Sequence, residues 1–314
     1  MKLDFTKYQF RASQMHFLMT GNIGLSDLQE NKLQSNLDRK ASAELGTAKP
    51  LTPTMIEEVK ELSAKKASNE LPKTMQKELR KIHRSERYNR NFIFTNKFVQ
   101  KGIAQEEEAI TLYQEYRKKV LGINTYFTKN EERLKNEWFS GEPDLRPVIM
   151  NGKKVGFDIK CSWSLESFPY AEDDLDSNYE YQNQVYMDLE DADQWITVYC
   201  LVNGTEQHLF NEKQKYFYAL GMPDLGEKNY DEYIERCKDV EKMMIYDYDR
   251  FVNQHHALLE ISREEWFDNG YDIPLEERII EKVSYRNEDT LAEMKKRIVI
   301  AREYLAKLEL NFKL

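Results

Sequence analysis

The sequence has few of the features that mark secreted, disulfide-bonded or membrane-spanning proteins. Its 314 residues include three cysteines, Cys161, Cys200 and Cys237, which are widely spaced and form no CxxC pair. This pattern predicts neither a disulfide framework nor a closed zinc or iron–sulfur site. The longest strongly apolar run, residues 195–202, is far too short to span a bilayer, and the first residues lack the apolar stretch of a secretory signal. We therefore expect a cytoplasmic protein without a membrane partner.

Two kinds of catalytic motif are also missing. The chain has no glycine-rich phosphate loop ending in Lys-Ser or Lys-Thr, so no nucleotide-driven motor is expected. His255 and His256 are adjacent in sequence, and on a helix they diverge by about 100°, unlike a chelating i, i+4 pair. We interpret both histidines as ordinary helix residues.

The charge is acidic in total but segregated along the chain. There are 46 Lys and Arg against 55 Asp and Glu, which gives a formal net charge of −9. From Glu58 to Lys101 there are twelve Lys or Arg and five Asp or Glu, whereas Trp163 to Gln194 contains ten Asp or Glu and no Lys or Arg. The total argues against a protein that coats nucleic acid by bulk charge. The segregation fits a face that meets a polyanion, although a basic helix run is also typical of a solvated surface.

Periodicity and turn residues predict a mixed α/β chain. Residues 10–21 indicate a short helix with Ser13 as its N-cap, and residues 102–119 a longer helix with an apolar stripe. Strands at 142–149 and 155–163 are joined by Asn151-Gly152, the favoured sequence of a two-residue hairpin turn. A helix at 178–190, strands at 195–202 and 279–285, and a final helix at 289–308 complete the pattern. Residues 23–95 read as a polar helical insertion between an N-terminal helix (1–22) and a core of residues 96–314.

The hairpin brings chemically useful side chains together. It places Asp144 opposite Asp158, and Lys160 follows Asp158 by two residues, so that the two side chains project from the same face of one strand. Glu106 on the preceding helix would complete an acidic cluster. Mg²⁺ binds one or two carboxylates together with water and substrate phosphate, and a nearby lysine would stabilise a nucleophile that attacks phosphorus. A surface salt bridge between Asp158 and Lys160 is the plain alternative.

Taken together, these motifs resemble the PD-(D/E)XK nucleases. Glu106, GEPDL, DIK and Gln182-x-x-x-Tyr186 follow the order and spacing of that superfamily, and several longer stretches are similar to the phage YqaJ-like and lambda-exonuclease-like recombination nucleases. The resemblance implies a restriction-endonuclease-like core, a mixed central sheet flanked by helices, with residues 23–95 as the least matched part. If the chain is phage-encoded, its compartment is the cytoplasm of the bacterial host.

The resemblance implies a role for each matched residue. Asp144, Asp158 and the backbone carbonyl of Ile159 bind Mg²⁺, with Mn²⁺ as the alternative ion, and Lys160 is the catalytic lysine. Glu106 is the helical glutamate, although Glu107 and Glu108 are adjacent candidates. Gln182 positions the lysine or the nucleophile. Tyr186 is open between DNA contact and core packing.

The resemblance also implies a substrate and partners. Lambda-exonuclease-like enzymes hold a terminal 5′ phosphate with an Arg and a Ser near the first core helix, and Arg11 and Ser13 stand in a similar place, where Ser13 is equally well explained as an N-cap. We expect an exonuclease that resects double-stranded DNA ends 5′ to 3′ for phage-type recombination, forms a homo-oligomer and works with a single-strand annealing protein. The alternatives are a non-catalytic DNA-end-binding protein that retains the fold and a structure-specific endonuclease.

Overall fold

The structure, a computed structural model, describes residues 3–68, 70–90, 96–221 and 229–312, with the side chains of residues 97 and 98 left aside. It divides into two compact units. Unit 1 comprises Met1–Phe92, Lys135–Ser140 and Asn287–Leu314, and unit 2 comprises Ile93–Leu134 and Gly141–Arg286. The sequence predicts that residues 287–314 belong to the core. In the structure they lie instead in unit 1, together with the N-terminal residues. The boundary expected at 95–96 lies beside residues 91–95, outside the described part, and the division into three parts stays a prediction.

Unit 2 is built on a mixed four-stranded sheet. Its strands are β4 (Val148–Met150), β5 (Lys153–Cys161), β6 (Gln194–Cys200) and β7 (Ile279–Tyr285), in the order β4-β5-β6-β7. The β5–β6 pair is parallel and the two outer pairs are antiparallel. The predicted α/β class with a mixed sheet is therefore confirmed.

The predicted Asn151-Gly152 turn is also confirmed. Asn151 and Gly152 both have positive φ, 50° and 77°, and join Met150 directly to its register partner Lys153. A two-residue turn of this kind matches the twist of the flanking strands. The strand expected at 142–149 is wrong over residues 142–147, since β4 begins at Val148. Pro143 and Pro147 lack the N–H groups that a sheet ladder needs.

Helices cover the sheet and extend unit 2. They are α5 (Lys97–Lys119), α6 (Ser177–Glu190), α7 (Glu206–Ala219), α8 (Tyr230–Met244), α9 (Tyr248–His255) and α10 (Arg263–Asp268). Helix α6 has Asp176 as its N-cap residue, whose side chain accepts a hydrogen bond from Asn178 N, and it ends where Asp191 takes a left-handed conformation, φ 49°. It connects the parallel strands β5 and β6, as a parallel pair requires.

One face of the sheet packs on α5 to form the core of unit 2. Ala109, Leu112 and Tyr113 of α5 are buried against Phe157 and Ile159 of β5. A second apolar cluster lies among α7, α8, α9 and α10 and includes Trp163 and Trp266. Because the odd-numbered residues of β5 take part in the α5 core, the even-numbered ones face the other side, toward α6.

Unit 1 is mainly helical. It contains α1 (Met15–Met19), α2 (Asp27–Glu44), α3 (Pro53–Ser68), α4 (Lys73–Tyr88) and α11 (Glu288–Asn311). Strands β1 (Phe10–Arg11), β3 (Phe139–Gly141) and β2 (Leu134–Lys135) form a small sheet in the order β1-β3-β2. Helices α2 and α3 share only a small apolar cluster, whereas α4 buries Met75 and Leu79 completely. Across the described residues of both units, no helix is long and apolar enough to cross a bilayer.

Candidate active site

The even face of β5 carries the two residues that the DIK motif places together. Asp158 is paired in register with Thr197 of β6, and Lys160 with Tyr199. Lys160 Nζ forms an ion pair with Asp158 Oδ2, as strand alternation predicts for neighbours on one face. Helix α6 covers this face, where Asn183 Nδ2 donates to Thr197 Oγ1 at 2.9 Å. The site therefore lies between β5 and α6.

Asp144 reaches the same strand from a loop. Its Oδ2 accepts a hydrogen bond from Ile159 N at 2.8 Å. The loop is held by two backbone hydrogen bonds, from Asn130 N to Asp144 O and from Arg146 N to Thr128 O, each 2.9 Å. Since the N–H and C=O of one strand residue point to the same sheet edge, the Ile159 carbonyl is directed to the side on which Asp144 lies. The structure thus brings Asp144, Asp158, Ile159 and Lys160 together.

Asp158 is buried with an unusual lack of hydrogen bonds. The residue is 1% exposed, and neither carboxylate oxygen accepts a hydrogen bond of ordinary geometry, although Oδ2 is ion-paired with Lys160. Buried carboxylates are normally paired, fully hydrogen-bonded or bound to a metal. Asp158 Oδ1, which is buried without a partner, is therefore suited to ligate a cation.

Electrostatics in the cluster favour a cationic ligand. Burial raises the pKa of the Asp144 carboxyl, and the nearby charge of Asp158 raises it further, against the opposing effects of Lys160 and of the Ile159 N–H. Burial lowers the pKa of Lys160, but the charges of Asp158 and Asp144 more than offset this, so the net shift is upward. Two carboxylates in one small space repel each other, which a divalent cation would relieve.

The donor set fits a hard divalent cation. Asp144, Asp158 and the Ile159 carbonyl provide oxygen ligands, and Mg²⁺ commonly takes one or two carboxylates and completes its shell with water and phosphate oxygens. Within the described ranges, no group of three or more His, Cys, Asp or Glu side chains is arranged to hold an ion. The third carboxylate that the sequence expects, Glu106, has another partner.

Glu106 lies on α5, the helix that packs on the odd-numbered residues of β5. Its Oε1 is 2.9 Å from Lys129 Nζ. Of the alternatives, the side chain of Glu107 is 88% exposed and Glu108 is ion-paired with Arg250. Burial raises the pKa of the Cys161 thiol to about 12, and the charges of Asp144 and Glu106 both add to the shift. The role of Glu106 as a metal ligand stays a prediction.

Gln182 and Tyr186 form a short hydrogen-bonded chain on α6. Gln182 Nε2 donates to the Tyr186 hydroxyl at 2.8 Å, and that hydroxyl donates to Glu142 O at 3.3 Å. Tyr186 is 4% exposed and its ring centroid lies 5.2 Å from that of Trp195. This packing favours the core interpretation of Tyr186 over DNA contact. The chain also anchors Gln182 beside the loop that carries Asp144.

Arg11 and Ser13 belong to unit 1, where both are exposed. The expected N-cap role of Ser13 is wrong. Ser13 lies inside a 3₁₀ turn, Ala12–Gln14, and the helix that follows has Gln14 as its N-cap residue, without a side-chain cap. Gln14 Oε1 instead accepts a hydrogen bond from Arg11 N at 3.0 Å. The role of Arg11 and Ser13 in binding a terminal phosphate stays a prediction.

Tyr179 is a site residue that the sequence did not single out. Lys160 Nζ lies 4.9 Å from the centroid of its ring, within range of a cation–π interaction. Tyr179 precedes Gln182 by three residues on α6, so the two share a helix face. That spacing from a recognised motif residue is the signal that could have identified it.

Lys101 of α5 is a second residue that the sequence did not single out. It is fully buried, and its ammonium donates to three backbone carbonyls, Ser162 O, Trp163 O and Val202 O, at 2.8, 3.0 and 3.1 Å. These carbonyls follow the ends of β5 and β6. Lys101 therefore ties together the chain segments that leave the candidate site.

A change in pH should reveal this buried ammonium. Burial lowers the pKa of Lys101 to about 8, whereas an unfolded lysine titrates near 10.5. Between these values the unfolded chain binds more protons, so stability rises with pH and the cost of the buried charge disappears. We compare the free energy of unfolding of the wild type with that of Lys101→Met. Between pH 8 and 10.5 the difference, wild type minus variant, should rise by about 3 kcal/mol.

Urea denaturation of both proteins at several pH values measures this difference. The comparison removes the titration of all other groups, provided that they behave alike in both proteins. A difference that stays constant with pH would show that Lys101 keeps its proton throughout.

Comparison with solved structures identifies the fold. A phage-related exonuclease from Haemophilus somnus 129PT aligns over 96% of this chain and 95% of its own, with 19% sequence identity and a TM-score of 0.54. An alkaline exonuclease from Laribacter hongkongensis, LHK-Exo, aligns over 97% and 91%, with 11% identity and a TM-score of 0.46. Its complex with dAMP aligns over 96% and 90%, with 11% identity and a TM-score of 0.45.

Comparison at the level of sequence identifies nothing further. No protein-family model and no curated protein matches the chain. The similarity therefore lies in the arrangement of the chain in space and extends over nearly its whole length. The expectation drawn from GEPDL and DIK is confirmed for the fold, and the chain has the fold of a phage-related exonuclease.

Proposed function

We propose that the chain is a metal-dependent deoxyribonuclease that degrades double-stranded DNA from its ends. The observation that carries this proposal is the buried Asp158 carboxylate, whose Oδ1 has no hydrogen-bond partner, whose Oδ2 is ion-paired with Lys160, and which lies beside Asp144. Two carboxylates and an ammonium grouped so closely are typical of a catalytic site, and a metal-dependent nuclease uses groups of this kind. The phage-exonuclease fold supports the choice of DNA as the substrate.

Asp144, Asp158 and the Ile159 carbonyl are proposed to hold Mg²⁺, with Mn²⁺ as the alternative and Glu106 as a further ligand. When bound, the ion supplies positive charge at the scissile phosphate and makes water more acidic. Ile159 N orients the Asp144 carboxylate through its 2.8 Å hydrogen bond. The burial of Asp158 keeps bulk water away from this oxygen pair.

Lys160 is the proposed catalytic cation. The charges of Asp158 and Asp144 raise its pKa, so the side chain is protonated at neutral pH and presents N–H donors. Those donors can orient an attacking oxygen or stabilise the charge that develops on the phosphate. Tyr179 and Asp158 position the ammonium, and Gln182 is proposed to position it or the nucleophile from α6.

The finer parts of the proposal concern DNA ends and partners. Arg11 and Ser13 are exposed, as the capture of a terminal 5′ phosphate requires, and a guanidinium suits phosphate recognition. We propose resection in the 5′ to 3′ direction by resemblance to lambda-exonuclease-like enzymes. The product of such resection is single-stranded DNA, the substrate of an annealing protein in phage-type recombination. We propose a homo-oligomer as the active form by resemblance to lambda-exonuclease-like enzymes.

Digestion of linear and closed circular duplex DNA tests this function. We expect loss of linear DNA with Mg²⁺, no loss with EDTA, and intact circles. Duplexes that carry a 5′ phosphate should be degraded faster than those with a 5′ hydroxyl, and Arg11→Ala should remove this preference. The order of label release from each end gives the direction.

The other outcomes separate the alternatives. Opened circles would identify an endonuclease. Binding to DNA ends without digestion, in either metal, would identify a non-catalytic DNA-end-binding protein and contradict the nuclease proposal.

A further inference from the structure

Helix α4 of unit 1 has one buried and one strongly basic face. Met75, Leu79, Ile82 and His83 are buried. The opposite face carries five exposed basic side chains, which we call the basic stripe: Lys73, Lys77, Arg80, Lys81 and Arg84. Their spacing of i, i+4, i+7, i+8 and i+11 places them in one row along the helix.

The basic stripe lines a groove and is held in place. Its five residues and Gln76 border a depression of about 510 Å³. Arg80 Nε donates to the Tyr304 hydroxyl of α11 at 3.2 Å, which orients its guanidinium. Because the buried face fixes α4 within unit 1, the row of charges is presented on a rigid element rather than on a loop.

One basic residue of the helix is directed away from the stripe. Arg87 is ion-paired with Glu309, which is also 2.9 Å from His83 Nε2, and the Arg87 side chain is 18% exposed. Because the Arg87 side chain is largely buried and paired with Glu309, it is not part of the basic stripe.

The length and charge of the stripe match a DNA backbone. From Lys73 to Arg84 the helix rises by roughly 16 Å at about 1.5 Å per residue. One strand of B-form DNA carries about five phosphates over that length. Glu78 is ion-paired with Lys81 at 2.6 Å, so most of the five cations remain for an external anion. The row is a local concentration of positive charge on a chain whose formal net charge is −9, and it suits a polyanionic partner.

We propose that the basic stripe of α4 binds the phosphodiester backbone of duplex DNA. The inference rests on the proposed function, in that a nuclease acting on DNA ends needs a contact with the duplex outside the catalytic cluster. Contacts of this kind read no sequence and fix the position of the protein on its substrate. Lys73, Lys77, Arg80, Lys81 and Arg84 are thus binding residues and take no part in bond cleavage.

The salt dependence of DNA binding tests the proposal. The triple variant Lys77→Gln, Arg80→Gln, Arg84→Gln is compared with its parent, and both carry Lys160→Ala and are assayed in EDTA so that the DNA survives. Anisotropy of a fluorescent 30-base-pair duplex between about 50 and 200 mM KCl gives the slope of log K against log salt. Each lost phosphate contact reduces this slope by about 0.9, so we expect a decrease of about 2 to 3 and at least about tenfold weaker binding at the lowest salt.

A matched variant controls for bulk charge. Lys32, Lys60 and Lys66 also lie on unit 1, are exposed, and are ion-paired with glutamates of α2 and α3. Replacing these three with Gln removes the same charge, and exposed ion pairs contribute little to stability. For this control variant, the slope of log K against log salt should stay within about 0.5 of the parent value. Equal losses in the two triple variants, or an unchanged slope in the stripe variant, would overturn the proposal.

Two further measurements keep the outcomes distinct. Vesicles of phosphatidylcholine and phosphatidylserine test for an anionic membrane, and loss of vesicle binding with an unchanged duplex slope would overturn the DNA assignment. Digestion of linear DNA by the protein with intact Lys160 is measured separately. A reduced slope without digestion supports the stripe and contradicts the nuclease, whereas digestion with an unchanged slope contradicts only the stripe. If the triple variant unfolds, Arg84→Gln alone should lower the slope by about 1.

Discussion

Lys160→Ala is expected to reduce the rate of DNA digestion by at least about a thousandfold while leaving DNA binding largely intact. The Lys160 ammonium is the positive charge that is ion-paired with the Asp158 carboxylate. Removing a preorganised charge that acts on the transition state lowers the rate of cleavage, whereas substrate binding depends on contacts elsewhere. Single-turnover digestion of a linear duplex in Mg²⁺ measures the rate, and anisotropy in EDTA measures binding.

Two variants control this experiment. Lys153→Ala removes an exposed lysine from the start of the same strand and should digest DNA at close to the wild-type rate. Lys160→Arg keeps the charge that balances Asp158 but changes its shape and its hydrogen-bonding geometry, so it separates loss of catalysis from loss of folding. Unaltered digestion by a folded Lys160→Ala protein would remove Lys160 from the mechanism.

Gly156→Ala is expected to lower the free energy of unfolding by about 3 kcal/mol. This is the upper end of the range that is usual when an extra methyl group is forced into a packed core. Gly156 lies in the middle of β5, directly opposite Trp195 of β6. A β-carbon at this position would come within 3.0 Å of three atoms of the Trp195 ring. That ring is fully buried and packs against Tyr186, so it has little room to move. Urea denaturation followed by tryptophan fluorescence gives the change.

Gly102→Ala is the matched control because it adds the same methyl group without a clash. Gly102 lies in α5, and a β-carbon there would meet no atom within 4 Å. Alanine at a helical position is favoured over glycine by up to about 1 kcal/mol, so this variant should be equally or more stable. Similar destabilisation by both substitutions would show that the packing of Trp195 on Gly156 is not the cause.

The Gly156→Ala variant should also lose activity beyond its loss of stability. Asp158 and Lys160 follow Gly156 by two and four residues on the same face of β5, so a strand displaced from Trp195 moves both side chains. A shift of about 1 Å in a catalytic group costs a large part of its effect. Digestion at a temperature where the variant is fully folded measures this separately.

The local parts of the fold follow from nearby residues. The Asn151-Gly152 turn, the shared face of Asp158 and Lys160 and the strand from Ile279 to Tyr285 depend on backbone preferences and on the alternation of side chains over a few residues. Each is found where the sequence predicts it. The phage-exonuclease fold was also reached from motifs of this kind, because their order along the chain reflects the order of the elements.

Other features depend on residues that are distant in sequence. Asp144 was expected on a strand, but it lies on a loop whose position depends on residues 128 to 130 and on the N–H of Ile159. The pairing of Glu106 with Lys129, and of Arg87 with Glu309, depends on which helix face becomes buried. Helical periodicity alone does not specify a partner across a tertiary contact.

The sequence by itself determined the mixed α/β class, the hairpin and the Asp158–Lys160 pair on one strand face, because these result from short-range geometry. The tertiary structure decided that the Asp158 carboxylate is buried with Oδ1 unpartnered, that Tyr179 lies beside the Lys160 ammonium and that Lys101 is enclosed by three carbonyls. Burial, and with it the pKa of a side chain, depends on every element packed around it, and no local stretch of sequence contains that information.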